Sequence, residues 1–146
     1  MITCGLCCLF VGEPVKFRTL TCNSIRRTMR EEQLAKISQV CLHNSRTLVD
    51  ALVAADRLDI RAFKISSQLF PLFTHPECGY TPGMLPDCDA ILSAMSEAAE
   101  FAKKKSIRLS FHPDQFVIPA SPKPEVAAAS IRELEYHNTL ADLVGA

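Results

Sequence analysis

The sequence has no surplus of charge, no membrane-length apolar run, no internal repeat and no even cysteine framework, and each absence removes a class. Sixteen Lys and Arg against sixteen Asp and Glu give a formal net charge of +0, so no global positive field draws the chain onto phosphate backbones. Basic residues do gather locally, at Lys16, Arg18, Arg26, Arg27 and Arg30 and again at Lys103, Lys104, Lys105 and Arg108; solvated helix faces are the simpler account of such runs. Nothing approaches the roughly 18 uninterrupted apolar residues of a membrane span. The apolar start, Met1 to Val11, is short and lacks a basic leader and a small-residue cleavage site, so a cytoplasmic protein is expected. With no repeat, low-complexity tract or interdomain linker, residues 1–146 read as one domain.

Seven cysteines form an odd, irregularly spaced set: Cys4, Cys7, Cys8, Cys22, Cys41, Cys78 and Cys88. A small secreted scaffold would carry an even, regular set, so reduced thiols are expected. Cys4 and Cys7 make a C-x-x-C with no second pair, inside an apolar run, where buried packing is a better account than zinc or redox chemistry.

What is present is an alternation of strand and helix signals. Thr3 to Phe10 is a short apolar run ended by Gly12 and Pro14, fitting a strand buried on both faces. Thr28 with Glu31 has the form of a capping box, and Leu34, Ile37, Cys41, Leu48, Leu52 and Ala55 then recur at helical spacing. Ile60 to Ser67 reads as a second strand, with a long exit loop punctuated by Pro71, Pro76, Gly79, Pro82, Gly83 and Pro86. Asp87 is placed to cap a helix whose Ile91, Ala94, Met95, Ala98 and Phe101 form one stripe, with lysines 103 to 105 near its negative end. Ile107 to Phe111 alternates as a third strand, cut off by Pro113. Ser121 and Pro122 mark a third helix start; Ile131, Leu134, Ala141 and Val144 carry its apolar side, and Gly145 ends it. Three alternating units predict an α/β fold with a parallel sheet, equally the start of a small open sheet or of an eight-unit barrel.

The chemistry-bearing residues follow two of those strands. Thr74-His75-Pro76 and Phe111-His112-Pro113 put two imidazoles beyond the carboxyl ends of neighbouring parallel strands, the edge where α/β folds place their sites. Neutral imidazole suits manganese, iron and zinc, and a following proline stiffens the loop. Loop histidines bonded to nearby carbonyls weigh about equally against that reading. Beyond His112 come Asp114, Gln115 and Phe116. An amide can read an exposed base edge and a ring can stack on a displaced base, although packing of Phe116 on the rim and a turn-forming Asp114 are the plainer accounts. His137 lies within the third helix, where packing outweighs a metal role.

Three segments together resemble one family. They are Phe63-Lys64-Ile65-Ser66-Ser67-Gln68-Leu69-Phe70-Pro71 with Thr74-His75-Pro76; Arg108-Leu109-Ser110-Phe111-His112-Pro113-Asp114-Gln115-Phe116; and Ser130-Ile131-Arg132-Glu133-Leu134-Glu135-Tyr136-His137. The chain is similar along nearly its whole length to UV-damage endonucleases. That resemblance implies the N-terminal portion of a TIM (β/α)8 barrel, about three β-α units with the barrel incomplete, so that residues 1–146 are a single partial domain. It further implies DNA repair: nicking of damaged double-stranded DNA 5′ to ultraviolet photoproducts, with divalent metal ions, Mn2+ above all, as cofactor. His75 and His112 match the family's first two metal ligands, while Gln115 and Phe116 match its DNA-binding, lesion-probing pair, the second often tyrosine. The implied chemistry is hydrolysis by a metal-activated water.

One departure is that Leu6, Cys7, Cys8 and Phe10 stand where the family carries an aromatic residue and an amide lining the DNA groove. The barrel typically needs about 250 residues. The family's further ligands come from later strands, so the 146-residue chain alone is expected to be inactive and to self-associate through an open sheet edge. Rival expectations are another metal-dependent barrel, of apurinic-endonuclease or sugar-isomerase type, and a non-catalytic fragment.

Overall fold

Parallel strands cannot be joined by a tight turn and need a crossover, usually a helix; the chain supplies two. The computed structural model describes residues 4–7 and 9–146, which leaves Thr3 and Cys8 of the expected first strand outside the described residues. Strands β1 (Cys4–Cys7), β2 (Ile60–Ile65) and β3 (Arg108–Phe111) form a sheet of order β1-β2-β3, both pairings parallel. Between β1 and β2 come the short helix α1 (Cys22–Ile25) and the 28-residue α2 (Arg30–Arg57). Helix α3 (Cys88–Lys104) joins β2 to β3, and α4 (Pro124–Val144) follows β3.

The sheet is one-sided. Leu6, Phe63 and Leu109 share a register position, and Phe63, Ile65 and Leu109 are buried. The adjacent row, Cys7, Lys64 and Ser110, points to the other face, where Cys7 and Ser110 are exposed. The first strand is therefore not buried on both faces as its apolar run predicts. Among the described residues it is an edge strand, and Cys4 and Cys7 lie exposed rather than packed.

On the covered face α2 packs against β2 and α3, burying Ile37, Cys41, Leu48, Leu52 and Ala55 against Phe63, Ile91, Met95 and Ala98. Each fully buried Leu or Ile contributes roughly 1.5–3 kcal/mol. The periodicity of α2 and α3 thus reads correctly, but their starts do not form as expected. Met29, not Thr28, precedes α2, and the Thr28 hydroxyl donates back to the Ile25 carbonyl at 2.8 Å instead of capping. Asp87 does sit before α3, but its carboxylate accepts from the Ser38 hydroxyl at 2.9 Å, which in turn accepts the Asp87 amide at 3.0 Å. That exchange ties α3 to α2.

Helix α4 differs most. It starts at Pro124 after Lys123, two residues beyond the Ser121-Pro122 expectation, because the Ser121 hydroxyl accepts the Lys123 amide in a local turn. Its buried side is Ser130, Tyr136, His137, Leu140 and Val144, whereas Ile131 and Leu134 are 50% and 39% exposed. Ser130 and Tyr136 of this face find hydrogen-bond partners on the neighbouring loops, while His137 Nε2 is buried without one, and that arrangement turns the helix away from its most apolar stripe. Gly145 ends it at φ 63°, the left-handed form that favours glycine.

Candidate functional site at the carboxyl edge of the sheet

Two loops leave the carboxyl ends of β2 and β3. The β2 exit loop is buried well beyond its strand, so its backbone groups need protein partners. Tyr136 of α4 meets two of them, accepting the Phe70 amide at 3.1 Å and donating to the Ser67 carbonyl at 3.1 Å. Asn44 of α2 donates to the carbonyls of Leu69 and Arg18, both at 2.9 Å, and accepts the Arg18 amide at 2.8 Å. The Tyr80 hydroxyl donates to the Pro71 carbonyl at 3.1 Å. With its proton so placed, the hydroxyl oxygen receives the Cys41 thiol, also at 3.1 Å. Burial pushes that thiol up to about 12, the Tyr80 hydrogen bond opposing only in part, and burial likewise raises both tyrosine hydroxyls above their ordinary range.

His75 sits in a turn at the far end of this loop. Its Nδ1 accepts the amides of Glu77 at 3.1 Å and Cys78 at 3.3 Å, and its carbonyl accepts the Gly79 amide at 2.7 Å. A Cβ at position 79 would lie 2.5 Å from the His75 carbonyl oxygen, so only glycine closes this turn. Arg30 fastens it to α2, donating to the carbonyls of Gly79 at 2.6 Å and Cys78 at 3.4 Å. Accepting two amides leaves the ring proton of neutral His75 on Nε2. Beside the ring, Cys22 and Cys78 are joined as a disulfide with Cα atoms 6.1 Å apart. This corrects the expectation that every cysteine is a reduced thiol. Spacing could not reveal it, since the two are 56 residues apart and meet only because α1 folds against the loop.

The β3 exit loop begins at His112, which is exposed directly after the strand. Asp114 behaves as the turn residue its position after proline suggests, accepting the Phe116 amide at 3.1 Å. Gln115 is exposed, and Phe116 is 74% exposed, so the ring is not packed on the rim as the plainer account held. Ile118 donates its amide to Ser130 at 2.8 Å, docking the loop on α4.

A cleft of about 550 Å³ between the two loops and α4 brings His75, Asp114, Phe116, Arg132 and Glu133 together. Glu133 accepts the Thr74 hydroxyl at 2.6 Å and so links α4 to the residue before His75. Sequence reasoning did not single out Arg132 or Glu133 for the site; their pattern of polar residues at helical spacing on one face of α4 was the available signal. His112 and Gln115 stand outside the cleft lining. His137 is buried, as packing requires, with Nδ1 on the Glu133 carbonyl at 2.8 Å and its ring against Phe111 and Tyr136.

Imidazole suits the ions expected at this edge. Among the described residues, however, three His, Cys, Asp or Glu donors come within coordinating reach of one another only at Cys22, His75 and Cys78. No such group among the described residues includes His112.

The fold and site define an α/β protein with its polar groups gathered where two parallel strands end. Residues 2–146 match the family described as UV-endonuclease UvdE. The chain belongs to that family. It is 32% identical over 141 residues to a UV DNA damage endonuclease from Nostoc sp., covering 97% of this chain and 42% of that protein. It is also 32% identical to one from Deinococcus radiodurans, covering 97% and 45%. The crystal structure of SacUVDE superposes with a TM-score of 0.78 at 29% identity, over 99% of this chain and 46% of that one. The chain therefore spans less than half the length of these relatives.

Proposed function

We propose that these residues are the N-terminal portion of a DNA repair endonuclease that nicks damaged double-stranded DNA 5′ to ultraviolet photoproducts. The carrying observation is the family match over residues 2–146, joined to two histidine loops leaving neighbouring parallel strands at the same edge. In this reading the three strand-helix units are a single partial domain that begins a TIM barrel, of a cytoplasmic protein, with its site at the edge such barrels use.

His75 and His112 would hold divalent metal, Mn2+ in the first place, together with ligands outside these 146 residues. When bound, such ions supply an activated water and offset charge on the phosphodiester oxygens. Gln115 and Phe116, both exposed on the β3 exit loop, reach the DNA: the amide reads a base edge while the ring stacks where the lesion has opened the helix. The open β1 and β3 edges favour association between copies of the isolated segment.

The test is a duplex with one pyrimidine dimer, labelled at one end and incubated with the full-length protein and Mn2+. A nick 5′ to the dimer, lost with a chelator and absent from undamaged duplex, supports the reading. Cleavage of an abasic duplex with the dimer duplex left intact would replace it with an apurinic endonuclease, and conversion of an aldose to a ketose with a sugar isomerase. Absence of all three would leave a non-catalytic member. The 146-residue segment alone is expected to leave the dimer duplex whole, because in this reading the further ligands beside His75 and His112 lie outside these residues.

A further inference from the structure

We infer that, once the Cys22–Cys78 disulfide is reduced, the chain binds a Zn2+ ion between Cys22, Cys78 and His75. The inference does not rest on the endonuclease reading. One ligand atom from each of the three residues lies within 4.8 Å of the others. A tetrahedral zinc shell with sulfur at about 2.3 Å and nitrogen at about 2.0–2.1 Å separates its donors by roughly 3.5–3.8 Å, so on reduction the two sulfurs part from bonding distance to that spacing while the His75 nitrogen is already within reach. Thiolates favour a soft or borderline ion and disfavour Mg2+ or Mn2+.

The site is built from both sides. Cys78 is buried, on a turn that Gly79 and the two Arg30 hydrogen bonds hold. Cys22 opens α1, which is anchored by the buried Ile25. His75 directs its Nδ1 lone pair into the same turn, where it accepts the Glu77 and Cys78 amides, and zinc takes that lone pair by displacing these two hydrogen bonds. The Glu77 carboxylate lies 4.0 Å from the Cys22 sulfur but outside the mutual reach of the three donors, so a water takes the fourth position unless Glu77 moves in.

Two exclusive states follow. A dithiol reductant passes two electrons and two protons to the disulfide, giving two thiols and its own disulfide. Zn2+ then displaces the two thiol protons and takes His75 as its third ligand. Oxidation releases the ion and frees the imidazole.

Co2+ titration of the full-length protein, followed by absorption, tests this directly. The reduced protein should develop thiolate-to-cobalt charge transfer and tetrahedral d–d bands that Zn2+ abolishes, and the oxidised protein should show neither. Cys22→Ser and Cys78→Ser should each diminish the charge transfer, while the Cys4→Ser, Cys7→Ser double variant should keep it. His75→Ala retains both cysteines, so it still reports if a serine variant fails to fold. It should bind Co2+ at least roughly a hundredfold more weakly. Absence of charge transfer in the reduced protein, its loss in the Cys4, Cys7 variant, or wild-type affinity in His75→Ala would each overturn the proposal.

Discussion

Tyr136 and Phe70 are 66 residues apart in sequence, yet the tyrosine hydroxyl accepts the phenylalanine amide at 3.1 Å while donating to Ser67. Through this oxygen, together with Glu133 on Thr74, α4 holds the loop that carries His75. In Tyr136→Phe the ring keeps its contact with Phe73, 4.9 Å between centroids, but the buried Phe70 amide loses its acceptor. An unsatisfied buried donor costs about 1–3 kcal/mol. Urea denaturation should show that loss, and an unchanged midpoint would mean that the loop does not depend on the hydroxyl.

Phe116 offers the opposite case. It is 74% exposed, so Phe116→Ala should change stability by no more than about 0.5 kcal/mol. Affinity of the full-length protein for a dimer-containing duplex should fall by roughly 1–3 kcal/mol, the worth of one stacked base. Phe116→Tyr should bind as wild type. Equal binding by the alanine variant would remove Phe116 from the DNA interface.

Cys41, pushed up to about 12 by burial, carries almost no thiolate at neutral pH. Brief alkylation of the native protein at pH 8 should modify the exposed Cys4 and spare Cys41, and full denaturation should expose both. Peptide mapping decides the matter. Native labelling of Cys41 at the Cys4 rate would show that its surroundings open far more readily than a packed core does.

Asp56 anchors a cluster of charges where α2 and α3 end, accepting Lys105 at 2.7 Å and Arg61 at 2.7 Å. These hydrogen bonds, Lys105 foremost, hold its carboxyl below the ordinary value of 3.8. A carboxyl lowered by folding stabilises the native state above its unfolded value. That contribution shrinks as pH falls below 3.8 and is gone once the folded group protonates. Wild type should therefore outlast Asp56→Asn in thermal melts at pH 7, and the gap should narrow in acid. A gap that stays constant down to pH 2 would assign the difference to packing.

The sequence disclosed the parallel alternation and the two histidine exits because those signals are local: a short apolar run, a proline stop, a helix whose stripe repeats as Ile91, Met95 and Ala98. It misplaced the buried side of α4 around Ile131 and Leu134, since Ser130 and His137 are polar by composition and are buried because Ser130 takes the Ile118 amide and the His137 ring packs on Phe111 of β3. Thr28 failed as a cap for a related reason: α1, four residues long and unsignalled by periodicity, takes its hydroxyl. The exposure of β1 was hidden too, because an apolar strand reads alike at a sheet's edge and at its centre. In the candidate site, His75 and Phe116 could be named from sequence. The cysteine pair beside His75 could not, because a crossing of 56 residues leaves no local trace.

The Tyr136 clasp also sets an order in time. On a growing chain β2 and its exit loop emerge well before α4, and until that helix arrives the Phe70 amide and Ser67 carbonyl have only water to bind. Parallel pairings between distant segments form slowly because loop closure precedes their reward. The Ser67–Phe70 stretch is therefore among the last parts of this segment to acquire its native partners, whereas the turn around His75, held by Arg30 and Gly79, has its own partners before α4 is made.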